Sequence, residues 1–241
     1  MPKLSVIIPC YNEGKRLSVE SFCECLKNSP DIELLFVDDG SKDNTLELLE
    51  QIKSNYPANT RILTFQKNKG KSETVRQGFL YALQRDESEY IGYLDADLST
   101  GFGEFLRIFE IAVTKKADFV IGSRIKMLNH KIDRSFIRHI IGRILATIID
   151  AKFKLRIYDT QCGAKIFTSG IAKDFCNMPF KTKWFFDIEI FIRLRKKRVL
   201  TNGLEIPLQK WSDISGSKIS LLSFPVVLKD IFRLMRHYKS K

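Results

Sequence analysis

Alternation is the feature that most narrows the fold. Short apolar runs, each the length of one strand, are separated by segments with helical periodicity, and most runs end in polar or acidic residues. Residues 4–9 read as a buried strand. Residues 32–37 are a second, followed by Asp38-Asp39-Gly40; Ser41 and Asp43 can cap the next helix, where Leu46, Leu49 and Ile52 recur at helical spacing. Residues 61–65 are a third strand, and Gly70 opens a helix with Val75, Phe79, Ala82 and Leu83 on one face. Residues 90–94, ending in Asp95-Ala96-Asp97, and 117–121 supply two more strands. Strand–helix alternation implies parallel strands joined by helical crossovers, hence an α/β sheet. Ligands of such sheets bind at the carboxyl ends of strands. Pro9-Cys10-Tyr11, Asp38-Asp39, Asn68-Lys69-Gly70 and Asp95-Ala96-Asp97 are therefore expected to converge on one edge.

The 241 residues are read as one domain, since no repeat or long linker divides them. No apolar stretch reaches the ~20 residues of a membrane-spanning helix, and no secretory signal is seen. Five cysteines, an odd number, read as a reduced, cytosolic-side protein. Cys23-x-Cys25 lacks the second pair a zinc site needs. Charge is divided unevenly. Residues 1–114 carry 13 basic and 18 acidic side chains, a net of −5, and residues 115–241 carry 27 and 10, a net of +17. The second half is thus expected to face phosphorylated ligands, anionic lipid or nucleic acid. Two basic amphipathic helices are expected there. Over 132–149, Phe136, Ile137, Ile140, Ile141, Ile144, Leu145 and Ile148 share a broad face, with Arg134, Arg138 and Arg143 toward the other side. After Pro225, Val227, Leu228, Ile231, Phe232, Met235 and Tyr238 form a stripe opposite Lys229, Arg233 and Arg236. Both suit an anionic bilayer surface, or packing on the core with solvated basic faces.

Asp95-Ala96-Asp97 is the sharpest local signal: two carboxylates at a strand end make a hard-oxygen site for Mg²⁺ or Mn²⁺, or else a solvated acidic loop. Asp39, at another strand end, can accept from a base N–H or a ribose hydroxyl, or belong to an ordinary strand-to-helix turn. Together the two suggest a nucleoside diphosphate with a bound metal. Neither a G-x-G-x-x-G nor a G-x-x-x-x-G-K-[ST] segment is present, which weakens dinucleotide and P-loop readings.

Three segments, Ser5 through Glu13, Val37-Asp38-Asp39-Gly40-Ser41 and Asp95-Ala96-Asp97, resemble the family 2 inverting glycosyltransferases of GT-A fold. Asn68-Lys69-Gly70-Lys71 and Gly122-Ser123-Arg124 extend the likeness. Asp159-Thr160-Gln161-Cys162-Gly163, Trp184 through Glu189 and Gly216-Ser217-Lys218 are similar to the dolichyl-phosphate β-glucosyltransferase branch. The resemblance implies a Rossmann-like, mostly parallel sheet flanked by helices. It divides the domain into a nucleotide-sugar half, 1–114, and an acceptor- and membrane-facing half, 115–241. It places Pro9, Tyr11, Glu13 and Asp39 at the base and ribose and Asp95 and Asp97 at the metal and diphosphate. It turns Arg124, Arg134 and Arg138 toward the acceptor phosphate, Gln161, Ser217 and Lys218 toward phosphate, and Asp187 and Glu189 toward sugar or acceptor. Eukaryotic members of the branch carry an N-terminal membrane anchor; this chain starts at its first strand, so membrane contact is expected to come from the basic helices or to be weaker.

The implied reaction moves glucose from UDP-glucose to a polyprenyl phosphate, dolichyl or undecaprenyl, with Mg²⁺ or Mn²⁺, at the cytosolic face of a membrane. A phosphate acceptor is anionic already and needs no strong base, so catalysis centres on the leaving diphosphate, with Asp97 and Arg124 serving it. Asp187 is the reserve base should the acceptor be a glycan hydroxyl, the alternative within the fold. A non-catalytic basic module is the alternative outside it, but no reading element for nucleic acid is present. Several residues also have plainer roles open to them: Arg124 as a surface cation, Arg134 and Arg138 at the membrane only, Trp184 in packing, Asp187 as a helix cap, and Glu189 and Gln161 as acceptors or donors for buried backbone. Cys162 reads as a small buried residue, and none of the three histidines is assigned to catalysis. Oligomeric state is not encoded in any of these features.

Overall fold

A computed structural model of the chain describes residues 3–133, 136–213 and 224–238. Arg134, Ser217 and Lys218 lie outside the described residues, as do the side chains of Phe136, Ile137, Arg138, Ile141, Val227 and Leu228.

The five expected strands are present, within two residues of their expected ends: β1 (Leu4–Cys10), β2 (Ile32–Asp38), β3 (Thr60–Thr64), β4 (Tyr90–Leu94) and β5 (Phe119–Ser123). Helices α1 (Val19–Asn28), α2 (Thr45–Asn55), α3 (Lys71–Arg85) and α4 (Phe102–Thr114) connect them. The second half adds β6 (Lys131–Asp133), α5 (Phe136–Phe153), β7 (Ala164–Thr168), α6 (Ser169–Cys176), α7 (Phe186–Lys196), β8 (Gly203–Pro207), β9 (Lys210–Ser212) and α8 (Phe224–His237). Seven strands form one sheet in the order β3-β2-β1-β4-β7-β5-β8, and β6 pairs with β9 in a small ribbon. The large sheet is parallel except for β7, which runs antiparallel between β4 and β5.

Side chains alternate between the two faces of the sheet, so each face seeds its own core. Ile7, Leu35, Val37, Ile91, Tyr93 and Phe167 pack with Val75, Phe79, Phe175 and Phe191 of α3, α6 and α7. Val6, Ile8, Leu34, Phe36, Leu94 and Ile166 pack with Phe22, Leu49, Phe105 and Ile108 of α1, α2 and α4. The first core is rich in aromatic rings; Phe167 meets Phe79, Phe119, Phe175 and Phe191.

Three local expectations need correction. Ser41 does not cap α2: its hydroxyl donates to Asp38 and accepts the Asn12 amide at 2.9 Å, while Asp43 takes up the Thr45 amide at 3.1 Å. Residues 132 and 133 belong to β6 rather than to the helix that follows. The apolar face of α5 is turned from the expected one. Ile149 and Phe153 enter the core with Leu145 against them, whereas Ile140, Ile144 and Ile148 are 42%, 55% and 48% exposed. An 18-residue helix of this composition has more apolar side chains than one flank can bury.

α8 is held by a contact its hydrophobic pattern does not announce. Leu234, outside the expected stripe, is fully buried, and Phe232, inside it, is exposed. The buried Asp230 carboxylate accepts the amides of Lys183 at 2.8 Å and Trp184 at 2.9 Å, tying α8 to the loop before α7. Glu189 clasps the same loop from the other side, accepting from the Lys181 and Thr182 amides. Removing a buried charged acceptor strands two amides, so Asp230→Ala is expected to destabilise the protein by about 2–4 kcal/mol. Urea unfolding at neutral pH measures this; a loss under about 1 kcal/mol would contradict the anchoring role.

Candidate functional site

The carboxyl ends of β1, β2 and β4 meet at one edge, as the strand-end motifs require. Asp39 follows β2 and is buried. Its two carboxylate oxygens accept the amides of Lys69 at 2.6 Å and Gly70 at 2.8 Å, which fixes the loop that leads into α3. Gly40 takes φ +70°, and a Cβ there would stand 3.0 Å from the Lys67 carbonyl carbon. The Asp39 carboxylate is thus engaged by backbone, and Pro9 and Tyr11 stand half-buried on the neighbouring strand end. Glu13, buried at the start of the next loop, pairs with Arg16 through both oxygens, and Arg16 reaches toward Asp97 at 3.9 Å. Glu13 and Arg16 thereby join the loop after β1 to the acidic pair. Sequence reading had not singled out Arg16.

Asp95 and Asp97 stand just past β4, with side chains 32% and 23% exposed. Lys71, at the first turn of α3, reaches Asp95 Oδ1 at 2.5 Å. Burial pulls the Lys71 ammonium down, but the carboxylates of Asp95, Asp187 and Asp97 outweigh it, and the net displacement is upward. Asp97 Oδ1 accepts the Ser99 amide at 3.0 Å. Two partly exposed carboxylates at one strand end, with cations already drawn to them, are the donor set a hard divalent cation takes.

The antiparallel β7 brings the second-half motifs to this edge. Asp95 N–H donates to the Gly163 carbonyl at 3.1 Å. A Cβ on Gly163 would lie 2.1 Å from Asp95 Oδ2, so only glycine fits beneath this carboxylate. Asp159 forks onto Arg124, accepting from Nε at 2.7 Å and Nη2 at 2.8 Å. Glu205 of β8 supports that turn by accepting the Tyr158 and Asp159 amides at 2.8 and 2.7 Å. Arg124 is not a loose surface cation. Burial lowers its proton affinity, the Asp159 carboxylate more than restores it, and the guanidinium lies 5.4 Å from the Trp211 ring centroid. Gln161 is exposed and shares a shallow cleft with Arg124, Arg143 and Tyr158.

Asp187 sits in the first turn of α7 without capping it. Oδ1 accepts from the Tyr93 hydroxyl and from Lys165 Nζ at 2.7 Å, in a buried cluster. Burial raises the Tyr93 phenol well above its ordinary value, and the charge of Asp187 adds to this. Neither Tyr93 nor Lys165 had been singled out from sequence; a lysine flanked by apolar residues in a strand, Ala164-Lys165-Ile166-Phe167, is the signal that was there. Glu189 is not brought to the cleft: it is fully buried, with both oxygens on backbone amides. Trp184 packs partly buried on the aromatic core. Cys162 is fully buried, its thiol pushed up to about 11 by that burial. All five cysteines are free thiols.

Comparison with known proteins places these motifs in a family. The model of glycosyl transferase family 2 matches residues 5–185. The dolichyl-phosphate β-glucosyltransferase of Dictyostelium discoideum is 32% identical, covering 98% of this chain and 74% of that protein. The enzyme of that name from Saccharomyces cerevisiae is 34% identical, covering 90% and 69%. Among solved structures, glucosyl-3-phosphoglycerate synthase of Mycobacterium tuberculosis with Mn²⁺, UDP-glucose and phosphoglyceric acid superposes with a TM-score of 0.68 at 14% identity, over 96% of this chain and 79% of that one. Mannosyl-3-phosphoglycerate synthase of Rubrobacter xylanophilus gives 0.69 at 17% identity, over 100% and 76%. At these identities the superpositions establish the shared GT-A fold.

The contact between Gly163 and Asp95 sets a test. Gly163→Ala is expected to displace the carboxylate and weaken Mn²⁺-dependent binding of a nucleoside diphosphate by about tenfold or more, the scale on which disturbed ligand orientation acts. Calorimetric titration with and without Mn²⁺ reads this; unchanged affinity would show that Asp95 does not serve the cation.

Proposed function

The chain belongs to glycosyl transferase family 2, and on that premise we propose that this glycosyltransferase moves glucose from UDP-glucose to a polyprenyl phosphate, inverting the anomeric carbon, at the cytosolic face of a membrane. The observation that carries the acceptor class is the extent of the likeness to dolichyl-phosphate β-glucosyltransferases. It covers 98% of the chain and so runs through the half that holds Arg124, Asp159 and Gln161. A glucosyl donor on UDP and a divalent cation are supported by the fold neighbour solved with Mn²⁺ and UDP-glucose, and by the match of Asp95 and Asp97 to a hard-oxygen site.

In this reading Pro9, Tyr11, Glu13 and Asp39 take the base and ribose. Asp39, already bonded to the Lys69 and Gly70 amides, anchors the loop against which the nucleotide lies. Asp95 and Asp97 would hold Mg²⁺ or Mn²⁺, which when bound supplies positive charge to the leaving diphosphate. Lys71 stands beside them as a protein cation on the same leaving group. Arg124, stiffened by Asp159, presents its guanidinium to the acceptor phosphate, with Gln161 along the same cleft. Arg134, Arg138, Ser217 and Lys218 extend the phosphate-binding set. A phosphate monoester carries about −1.5 to −2 charges near neutral pH. Its oxygen attacks C1 of the sugar; the C1–O bond to the diphosphate breaks, and UDP leaves with the electron pair. One displacement of this kind yields the β-linked product from an α-linked donor.

Membrane contact is assigned to α5 and α8. No helix among the described residues is long and apolar enough to cross a membrane. Ile140, Ile144 and Ile148 form an exposed stripe along α5, Phe232 is 64% exposed on α8, and Lys229, Arg233 and Arg236 accompany it. Apolar side chains flanked by cations are the composition of a helix lying in an anionic interface.

Incubation with UDP-[¹⁴C]glucose and undecaprenyl or dolichyl phosphate is expected to place label in the organic extract, only with Mg²⁺ or Mn²⁺. Asp97→Ala is expected to lower the rate by at least ~100-fold. Label confined to water, with UDP-glucose bound, would overturn the acceptor; absence of UDP-glucose binding would overturn the donor. Replacing Ile140, Ile144 and Ile148 together by Ser is expected to reduce co-sedimentation with anionic vesicles by tenfold or more, since each buried side chain is worth about 1.5–3 kcal/mol; unchanged sedimentation would remove α5 from the interface.

A further inference from the structure

Lys165 is a charged side chain in the middle of the sheet. It is 0% exposed, lies on the antiparallel β7, and stands directly across from Tyr93 of β4 in the strand register. Its ammonium has three donors and three partners: Tyr93 Oη at 2.8 Å, the Cys162 carbonyl at 2.5 Å and Asp187 Oδ1 at 2.7 Å. Stability alone does not account for such a group. A buried ion pair contributes little net, and apolar side chains of similar volume usually serve as well or better.

The location supplies the missing reason. Tyr93 lies two residues before Asp95, and Cys162 lies next to Gly163, on which the Asp95 carboxylate rests. Lys71 and Lys165 both lie against the Tyr93 ring, 5.9 and 5.0 Å from its centroid. The cluster therefore sits immediately beneath the diphosphate end of the site. Within it, Oδ1 of Asp187 is taken by Tyr93 and Lys165, while Oδ2 receives no hydrogen bond among the described residues. A carboxylate oxygen takes a hydrogen-bond donor or a cation, and the cation of the proposed site is assigned to Asp95 and Asp97, which leaves a donor for Oδ2. A sugar hydroxyl donates; an anionic phosphate oxygen does not.

We propose that Lys165, with Tyr93, is a positioning residue that locks one oxygen of Asp187 so that the other meets a hydroxyl of the transferred hexose. This rests on the glycosyl-transfer reading above and adds to it a device for recognising the sugar rather than the nucleotide. Lys165 never touches substrate. It acts by holding Asp187 in one rotamer, and its loss is felt only by ligands that carry the sugar.

The test separates sugar from nucleotide. In the full chain, Lys165→Met is expected to lower kcat/KM for UDP-glucose about 10- to 100-fold while the inhibition constant of UDP stays within twofold. Asp187→Asn is expected to do the same, and the double variant Lys165→Met/Asp187→Asn to be no worse than the poorer single, because both remove one contact. The double variant also leaves no unpaired charge in the core, and Tyr93→Phe keeps the ion pair while removing one bond to Oδ1. These two read the same contact should Lys165→Met alone not fold. Parallel loss of UDP affinity and turnover, additive effects in the double variant, or wild-type kinetics in Lys165→Met and Tyr93→Phe would overturn the assignment. Absence of transfer by the wild-type protein would overturn the glycosyl-transfer reading and the assignment with it, whereas wild-type transfer with unimpaired variants overturns the assignment alone.

Discussion

Everything at the site depends on how β4 is paired. On one side β4 runs parallel to β1, which aligns its carboxyl end with those of β1 and β2 and sets Asp95 and Asp97 beside Asp39 and Glu13. On the other side it runs antiparallel to β7, which brings a segment some seventy residues away in sequence into register, Leu94 against Ala164. That second pairing seats Asp95 on Gly163, places Lys165 across from Tyr93, and carries the Asp159–Arg124 pair in on the turn before β7. An all-parallel sheet would gather the nucleotide motifs equally well. It would leave the second-half motifs without a route to them.

This explains which parts of the molecule sequence could reveal. The strands of the first half are nearly continuous apolar runs because helices cover both faces, and their ends carry acidic or glycine-rich punctuation. Strand, helix and site edge are all local statements there, and they were legible. β7 is also a short apolar run, but Lys165 interrupts it, and a lysine in a strand ordinarily signals an exposed edge. Its true partners, Tyr93 and Asp187, lie 72 and 22 residues away. No spacing rule reaches that far. The same holds for Glu189 and Asp230. Each looks like an available acid on a helix, and each is spent on backbone amides of one loop that only the tertiary fold brings near.

Four tight ion pairs gather around the strand ends. Glu13 with Arg16, Asp95 with Lys71, Arg124 with Asp159 and Asp187 with Lys165 all lie at or near the cleft. Such pairs add little net stability, because the cost of taking both charges out of water offsets most of their attraction. At a site proposed to take up a diphosphate, a divalent cation and a second phosphate, pairing has another consequence. Each charged side chain is already oriented before ligand arrives, so binding does not have to order it. Arg124 illustrates the point: the Asp159 fork fixes the plane of the guanidinium.

The division of charge between the halves takes on a physical meaning in this setting. The acidic first half sets Asp39, Asp95 and Asp97 just past two of its strand ends. The basic second half supplies Arg124 to the cleft, and six more of its cations, Lys152, Lys154, Arg156, Arg195, Lys196 and Arg198, line an open groove beside the end of α5. Lys152 lies one turn beyond the exposed Ile148 on α5. The proposed lipid acceptor would call for two separate attractions: one for the headgroup to be glycosylated and one for the surface that supplies it. On the proposed reading, one fixed guanidinium for the acceptor and a separate cationic rim for the surface would keep the two tasks apart, because a loose patch of lysines binds any anion whereas a fixed guanidinium fork selects a phosphate by geometry.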